Sequence, residues 1–95
     1  MRTKTMDNLL GQLAISLAGR DKGVICAIVG TAEEGYVLIA DGRTRKVERP
    51  KKKKLKHLKL LELPGDKGRI SEARFTNRFI REAISLLSED ITSAI

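Results

Sequence analysis

Aromatic residues are almost missing from this chain: there is no Trp, one Tyr (Tyr36) and two Phe (Phe75 and Phe79). A platform that stacks successive bases of a single strand needs several exposed rings, so that mode of binding is excluded. Cysteine is equally scarce. Cys26 alone cannot form an intrachain disulfide, and with His57 as the one histidine an ordinary four-ligand zinc site is out of reach. No apolar run approaches the ~20 residues that span a bilayer, and nothing over Met1 to Asn8 resembles a signal peptide, so the reading is cytoplasmic with no membrane partner. Nucleotide-binding fingerprints are absent too. Gly19-Arg20-Asp21-Lys22-Gly23 has the wrong spacing for a phosphate loop, lacks its Ser or Thr, and runs into an apolar strand pattern rather than a helix. No G-x-G-x-x-G occurs. With no nucleophile–base set and no metal-ligand cluster, no enzyme and no cofactor are expected.

What is abundant is positive charge, and it is concentrated. The 95 residues carry a formal net charge of +7. From Arg43 to Lys59 there are ten Lys or Arg against one Glu, +9 within seventeen residues, while the remainder of the chain sums to −2. Solubility does not require such clustering, and a polyanionic partner would exploit it. Four consecutive lysines, Lys51 to Lys54, cannot be buried without partners. They are expected on a solvated extension.

The apolar content of 41% suffices for one modest core. Val24 to Val29, bounded by Gly23 and Gly30, reads as a strand buried on both faces. Tyr36 to Ala40 reads as a second strand, and Asp41-Gly42 as a hairpin turn that makes Arg43 to Val47 its returning partner. Pro50 is expected to break pairing, and a short strand follows about Leu58 to Leu61. Leu9, Leu10, Leu13, Ala14 and Leu17 fall at helical spacing with Asp7 as a cap, but Gly11 and the alternation of Leu13, Ile15 and Leu17 favour a strand over Gly11 to Leu17.

Phe79, Ile80, Ala83, Ile84, Leu87 and Ile91 make an apolar helical stripe. Thr76 is a suitable cap, with Phe75 and Ile80 placed as a hydrophobic staple, and Ser71 is a rival cap. Arg74, Arg78 and Arg81 then share one face, either solvated or a second phosphate-contacting surface. Glu89 and Asp90 oppose the helix dipole and point to fraying. The expected organisation is a flexible segment over residues 1–10, strands over 11–63, a connecting loop over 64–75 and a helix over 76–91. The fold class is mainly β with a C-terminal helix: short antiparallel strands, four or five in number, fit a small barrel.

Several residues have plain structural readings. Cys26 is a small buried hydrophobe. Tyr36 belongs to the core or rim, His57 is an exposed polar residue, and Glu33-Glu34 lie in a solvated turn. In the opening turn the glycines take backbone angles that other residues resist, and Asp21 caps a local amide.

Gly11, the eight-residue step to Gly19, then Arg20-Asp21-Lys22-Gly23 and its apolar strand resemble a KOW motif. The similarity extends through "GYVLIADGRTRKVERPKKKKLKHLKL" to bacterial KOW-domain RNA-binding proteins, themselves related to a KOW-type large-subunit ribosomal protein of archaea and eukaryotes. It covers about Gly11 to Leu63. The resemblance implies an SH3-like β-barrel that binds RNA without catalysis, ribosomal RNA first; about five strands, a monomeric state and ribosomal proteins as further partners are expected. Carried onto this chain, the motif turn is Gly19 to Gly23, and the contact residues are Arg20, Lys22, Arg43, Arg45, Lys46, Lys51, Lys52, Lys53, Lys54, Lys56, His57 and Lys59. Many relatives carry a basic residue directly after the hallmark glycine, here Gly23. Val24 and Ile25 stand there in this chain, which moves the expected contact to the turn and the lysine run. A protein-interaction module binding an acidic partner in translation or transcription is the rival reading.

Overall fold

A computed structural model describes residues 9–61 and 68–94, with side chains described as far as Leu87. Five strands form one antiparallel sheet: β1 (Leu13–Ser16), β2 (Ile25–Thr31), β3 (Tyr36–Ala40), β4 (Lys51–Lys54) and β5 (Leu58–Leu60), in the order β4-β3-β2-β1-β5. A 3-10 turn, Leu55–His57, links the two edge strands β4 and β5. A second, Glu72–Arg74, precedes the helix α1 (Asn77–Ala94).

The strand patterns explain where the core lies. Residues alternate between the two faces of a strand, and β2 is apolar on both. Cys26 and Ile28 pack with Ala14, Val37, Ile39 and Leu58 on one face. Ala27 joins Leu13, Ile70, Ile80 and Leu87 on the other, under α1. An irregularity between Ile28 and Gly30 in the pairing with β3 inserts Val29 as an extra residue and bends the strand. The expectation of a strand buried on both faces holds for Cys26 to Ile28; Val24 is exposed and precedes the strand, which runs on through Gly30 to Thr31.

Both cap readings of the C-terminal region are realised. Thr76 Oγ1 accepts the Phe79 amide at 3.1 Å at the start of α1, and Ser71 Oγ accepts the Ala73 amide at 3.3 Å at the start of the 3-10 turn. Ile80 is part of the core beneath the helix and Phe75 packs against that core, an arrangement compatible with a staple. The helix continues through Ala94, past the point where the dipole argument expected fraying, and the Glu89 and Asp90 side chains lie outside the described residues. Arg74 belongs to the 3-10 turn, so it does not share a helical face with Arg78 and Arg81.

Other expectations change. The first strand is shorter than Gly11 to Leu17: Gly11 sits at φ +87°, and Gly11 and Gln12 both bond to Ile28 of β2 outside the regular register while Gln12 forms an isolated bridge with Arg69. Gln12 is buried, and its amide donates to the carbonyls of Leu61 at 2.8 Å and Gly68 at 3.1 Å, so this one side chain ties three segments together. The flexible segment expected over residues 1–10 falls mostly outside the described residues. Leu9 packs against the core.

The largest correction concerns the strand that returns from β3. Residues 43–47 form no strand. Asp41 Oδ1 accepts the amides of both Arg43 and Arg45 at 2.9 Å, and the Asp41 and Gly42 amides donate to the Arg45 carbonyl. Side chain and backbone thereby consume the donors that a hairpin ladder needs. The lysine run itself pairs with β3, Tyr36 opposite Lys54 and Ile39 opposite Lys51. Pro50 therefore precedes a strand instead of interrupting one, a position that asks no amide of it. As an edge strand, β4 carries lysines where edge-to-edge pairing must be discouraged.

Candidate nucleic-acid interface

The glycine turn between β1 and β2 folds on backbone bonds. Ser16 O accepts from Gly23 N at 2.7 Å and Asp21 O from Val24 N at 2.9 Å, with Gly19 at φ +86° and Gly23 at φ +88°. Only glycine takes such angles without strain. The Asp21 carboxylate does not cap an amide, contrary to expectation. Its Oδ1 accepts from the Ser16 hydroxyl at 2.9 Å and from Lys53 Nζ at 2.8 Å, and Lys51 Nζ lies 3.5 Å from Oδ2. Partial burial works against the charged carboxylate. Hydrogen bonds from Lys53 and Ser16 and the charges of Lys53 and Lys51 outweigh it, and the pKa falls from 3.8 to about 2.

Lys53 thus departs from the expected role. It is 7% exposed and donates to Ala18 O at 2.8 Å as well as to Asp21. β4 is a pleated strand, so Lys53 shares its face with Lys51 and with the core residues Val37 and Ile39 opposite them. The ammonium fastens the edge strand to the β1–β2 turn. Lys52 and Lys54 point to the other face. Lys52 pairs with Glu33 at 2.7 Å and sits 5.2 Å from the centre of the Tyr36 ring. The hydrogen bond raises the Lys52 pKa and lowers that of Glu33. Tyr36 is half-buried at the first position of β3.

The expected contact residues therefore divide. Arg20 from the glycine turn, Arg45 from the 41–50 loop and Lys51 from β4 line one cleft of about 380 Å³. Its remaining lining is Val24, Cys26, Ile39 and Ala40, with Asp21, Asp41 and Thr44. Lys54 and Lys56 line a separate shallow groove with Gly35, Tyr36 and Leu55. Lys22, Arg43, Lys46 and Lys59 are exposed. Among the described residues none of these, nor Arg20, Arg45, Lys54 or Lys56, forms an ion pair. His57 is half-buried, and its carbonyl accepts the Leu17 amide at 2.8 Å. No single strip holds all the cations.

The loop that carries Arg45 is held by α1. Asn77 Oδ1 accepts the Val47 amide at 2.8 Å, its Nδ2 donates to Glu48 at 2.9 Å, and Arg81 Nη1 donates to Gly42 O at 2.9 Å. The three arginines expected on one helical face have separate employments. Arg81 braces the basic loop, Arg78 meets Glu82 at 3.3 Å, and Arg74 lies 4.8 Å from the Phe79 ring centre. Sequence reasoning missed Asn77 and Arg81 as supports of the loop. Their signal is a polar residue in the first two turns of an amphipathic helix, which many solvated positions share.

Cys26 is 3% exposed and its thiol donates to Ala14 O at 3.6 Å. Burial, with the Asp21 and Asp41 charges, pushes its pKa up to about 12. Among the described residues no group of three or more His, Cys, Asp or Glu could hold a metal, and no helix is long and apolar enough to cross a membrane. Comparison with protein-family models finds no match, and comparison with curated proteins finds none.

Proposed function

We propose that this protein is a non-enzymatic RNA-binding domain of the KOW type, an SH3-like barrel directed at structured ribosomal RNA, with ribosomal proteins as further partners. The observation that carries the reading is the convergence of Arg20, Arg45 and Lys51 on one cleft from three separate segments. Charge kept only for solubility has no reason to converge. Further support comes from the exposed Arg20 and Lys22 at the tip of the glycine turn. The strand order supports a barrel, since β4 and β5 are joined by one 3-10 turn and Lys53 draws β4 onto the β1–β2 turn. Backbone phosphates meet Arg20, Lys22, Arg43, Arg45, Lys46, Lys51, Lys52, Lys54, Lys56, His57 and Lys59. Lys53 is withdrawn from the set by its burial.

Fluorescence anisotropy with a folded ribosomal RNA fragment in rising salt tests the proposal. The five proposed contacts that line the cleft and the groove, Arg20, Arg45, Lys51, Lys54 and Lys56, by themselves give a log–log slope of roughly −3.5 on single strands to −4.5 on duplex, and each further contact steepens it by about 0.7–0.9. Arg20→Glu with Arg45→Glu should flatten it. Absence of binding at low ionic strength would overturn the proposal and favour an acidic protein partner.

A further inference from the structure

Phosphate recognition needs cations at an open surface, and it has no use for a recess behind them. Behind Arg20, Arg45 and Lys51 there is one. Its floor comes from Val24, Cys26, Ile39 and Ala40, and of these Cys26, Ile39 and Ala40 are buried side chains of the sheet. The Cys26 thiol stays neutral at physiological pH, with a pKa of about 12, so the floor carries no charge. At about 380 Å³ the cleft lies near the small end of pockets that hold compact ligands, a class spanning roughly 300–1,000 Å³. It has room for one flat ring system and none for a helix.

The walls add a second requirement. Asp21 is committed to Ser16, Lys51 and Lys53. Asp41 uses Oδ1 for two loop amides, and its Oδ2 has no partner among the described residues. Thr44 also lines the cleft. A carboxylate can only accept hydrogen bonds. The occupant therefore has apolar faces, a donor at one edge and negative charge beside it. A nucleobase with an exocyclic amine, within a ribose-phosphate chain, has all three. The one base-edge donor of uracil, N3–H, is flanked by two carbonyl acceptors that repel a carboxylate, and the side chain of a phenylalanine in an acidic peptide offers no donor.

We propose that this cleft takes one unstacked, amino-bearing base of the bound RNA, its faces against Val24 and Ile39, its amine toward Asp41, and its flanking phosphates on Arg20 and Arg45. The proposal rests on the RNA-binding reading above and adds base readout to it. Aliphatic walls here do what exposed aromatic rings do elsewhere.

Amide NMR spectra of the full chain, titrated with AMP, CMP, UMP and ribose 5-phosphate, test it. AMP and CMP should shift Val24, Cys26, Ala40 and Thr44 together, UMP more weakly, and ribose 5-phosphate should move only Arg20 and Arg45. Thr44→Trp places a ring at the mouth from an exposed position. It should abolish the nucleotide shifts and weaken binding of a hairpin RNA about tenfold, the scale of losing one stacked base, with the salt slope unchanged. The wild-type titrations decide the matter even if that variant misfolds. Should hairpin RNA bind while AMP and CMP leave the cleft amides unmoved, the pocket is refuted and the RNA reading stands. If neither RNA nor nucleotide binds, both fail. An acidic, phenylalanine-containing peptide that moves those amides where AMP does not would reassign the cleft to a protein partner.

Discussion

Lys53→Met separates structural from exposed lysine within a single run. The variant keeps the length of the stem and removes the ammonium, which donates to Ala18 O and Asp21 Oδ1, both at 2.8 Å. Hydrogen bonds to charged groups contribute about 1.5–3 kcal/mol each, and stripping one partner from a fully buried pair costs about 3–5 kcal/mol. Asp21 is less exacting than that. Its side chain is 24% exposed and it retains Ser16 at 2.9 Å and Lys51 at 3.5 Å. A loss of about 2 kcal/mol follows, which for a domain of this size lowers Tm by about 8–16 °C. Lys54→Met, at an exposed neighbouring position, should stay within about 0.5 kcal/mol of wild type. The two variants should trade places in RNA titrations. Lys54→Met removes about 0.7–0.9 from the salt slope, one phosphate's share, and Lys53→Met leaves it unchanged. The stability difference also depends on pH. The Asp21 pKa is about 2 in the folded protein against an ordinary value of 3.8. Its contribution is therefore present above pH 3.8 and disappears as pH falls through about 2, and the gap between wild type and Lys53→Met should close over that window. Thermal denaturation across pH reads all of this. Equal stability of the two variants, or a salt slope flattened by Lys53→Met, would refute the reasoning.

Two glycines with the same backbone angle should respond differently to alanine. Left-handed backbone costs an L-residue about 1–2 kcal/mol; Gly23→Ala, at φ +88° with nothing near, should lose that alone, whereas Gly11→Ala also drives a methyl into the Ile70 carbonyl and should lose clearly more. Urea midpoints measure the pair, and equal losses would contradict the close approach. Cys26, with its pKa near 12, should react with a thiol reagent at pH 8 only as fast as the protein opens; fast labelling of the native protein would contradict its burial.

Much of the fold is legible locally. Val24 to Val29 and Tyr36 to Ala40 announce strands because β-rich runs between glycines suit few alternatives, and β3 matches its reading residue for residue. Thr76, Phe75 and Ile80 announce the start of α1 within six positions. The burial of Cys26 follows from the run that contains it.

The site is a different matter, because its parts meet across the chain. Sequence by itself determined that positive charge is concentrated over residues 43–59 and that a glycine turn presents Arg20 and Lys22. It did not determine which lysines are free. That depends on β3 pairing with residues 51–54 instead of 43–47, and on Asp21 standing where Lys53 arrives from 32 positions away. An edge strand receives its register from one neighbour only, so a lysine run reads the same whether it is solvated or paired. Tertiary structure alone divided the run into Lys53, which fastens the sheet, and Lys54, which faces outward. It alone set Arg20, Arg45 and Lys51 around one apolar recess, since the chain has no local means of measuring distances between segments that only folding brings together.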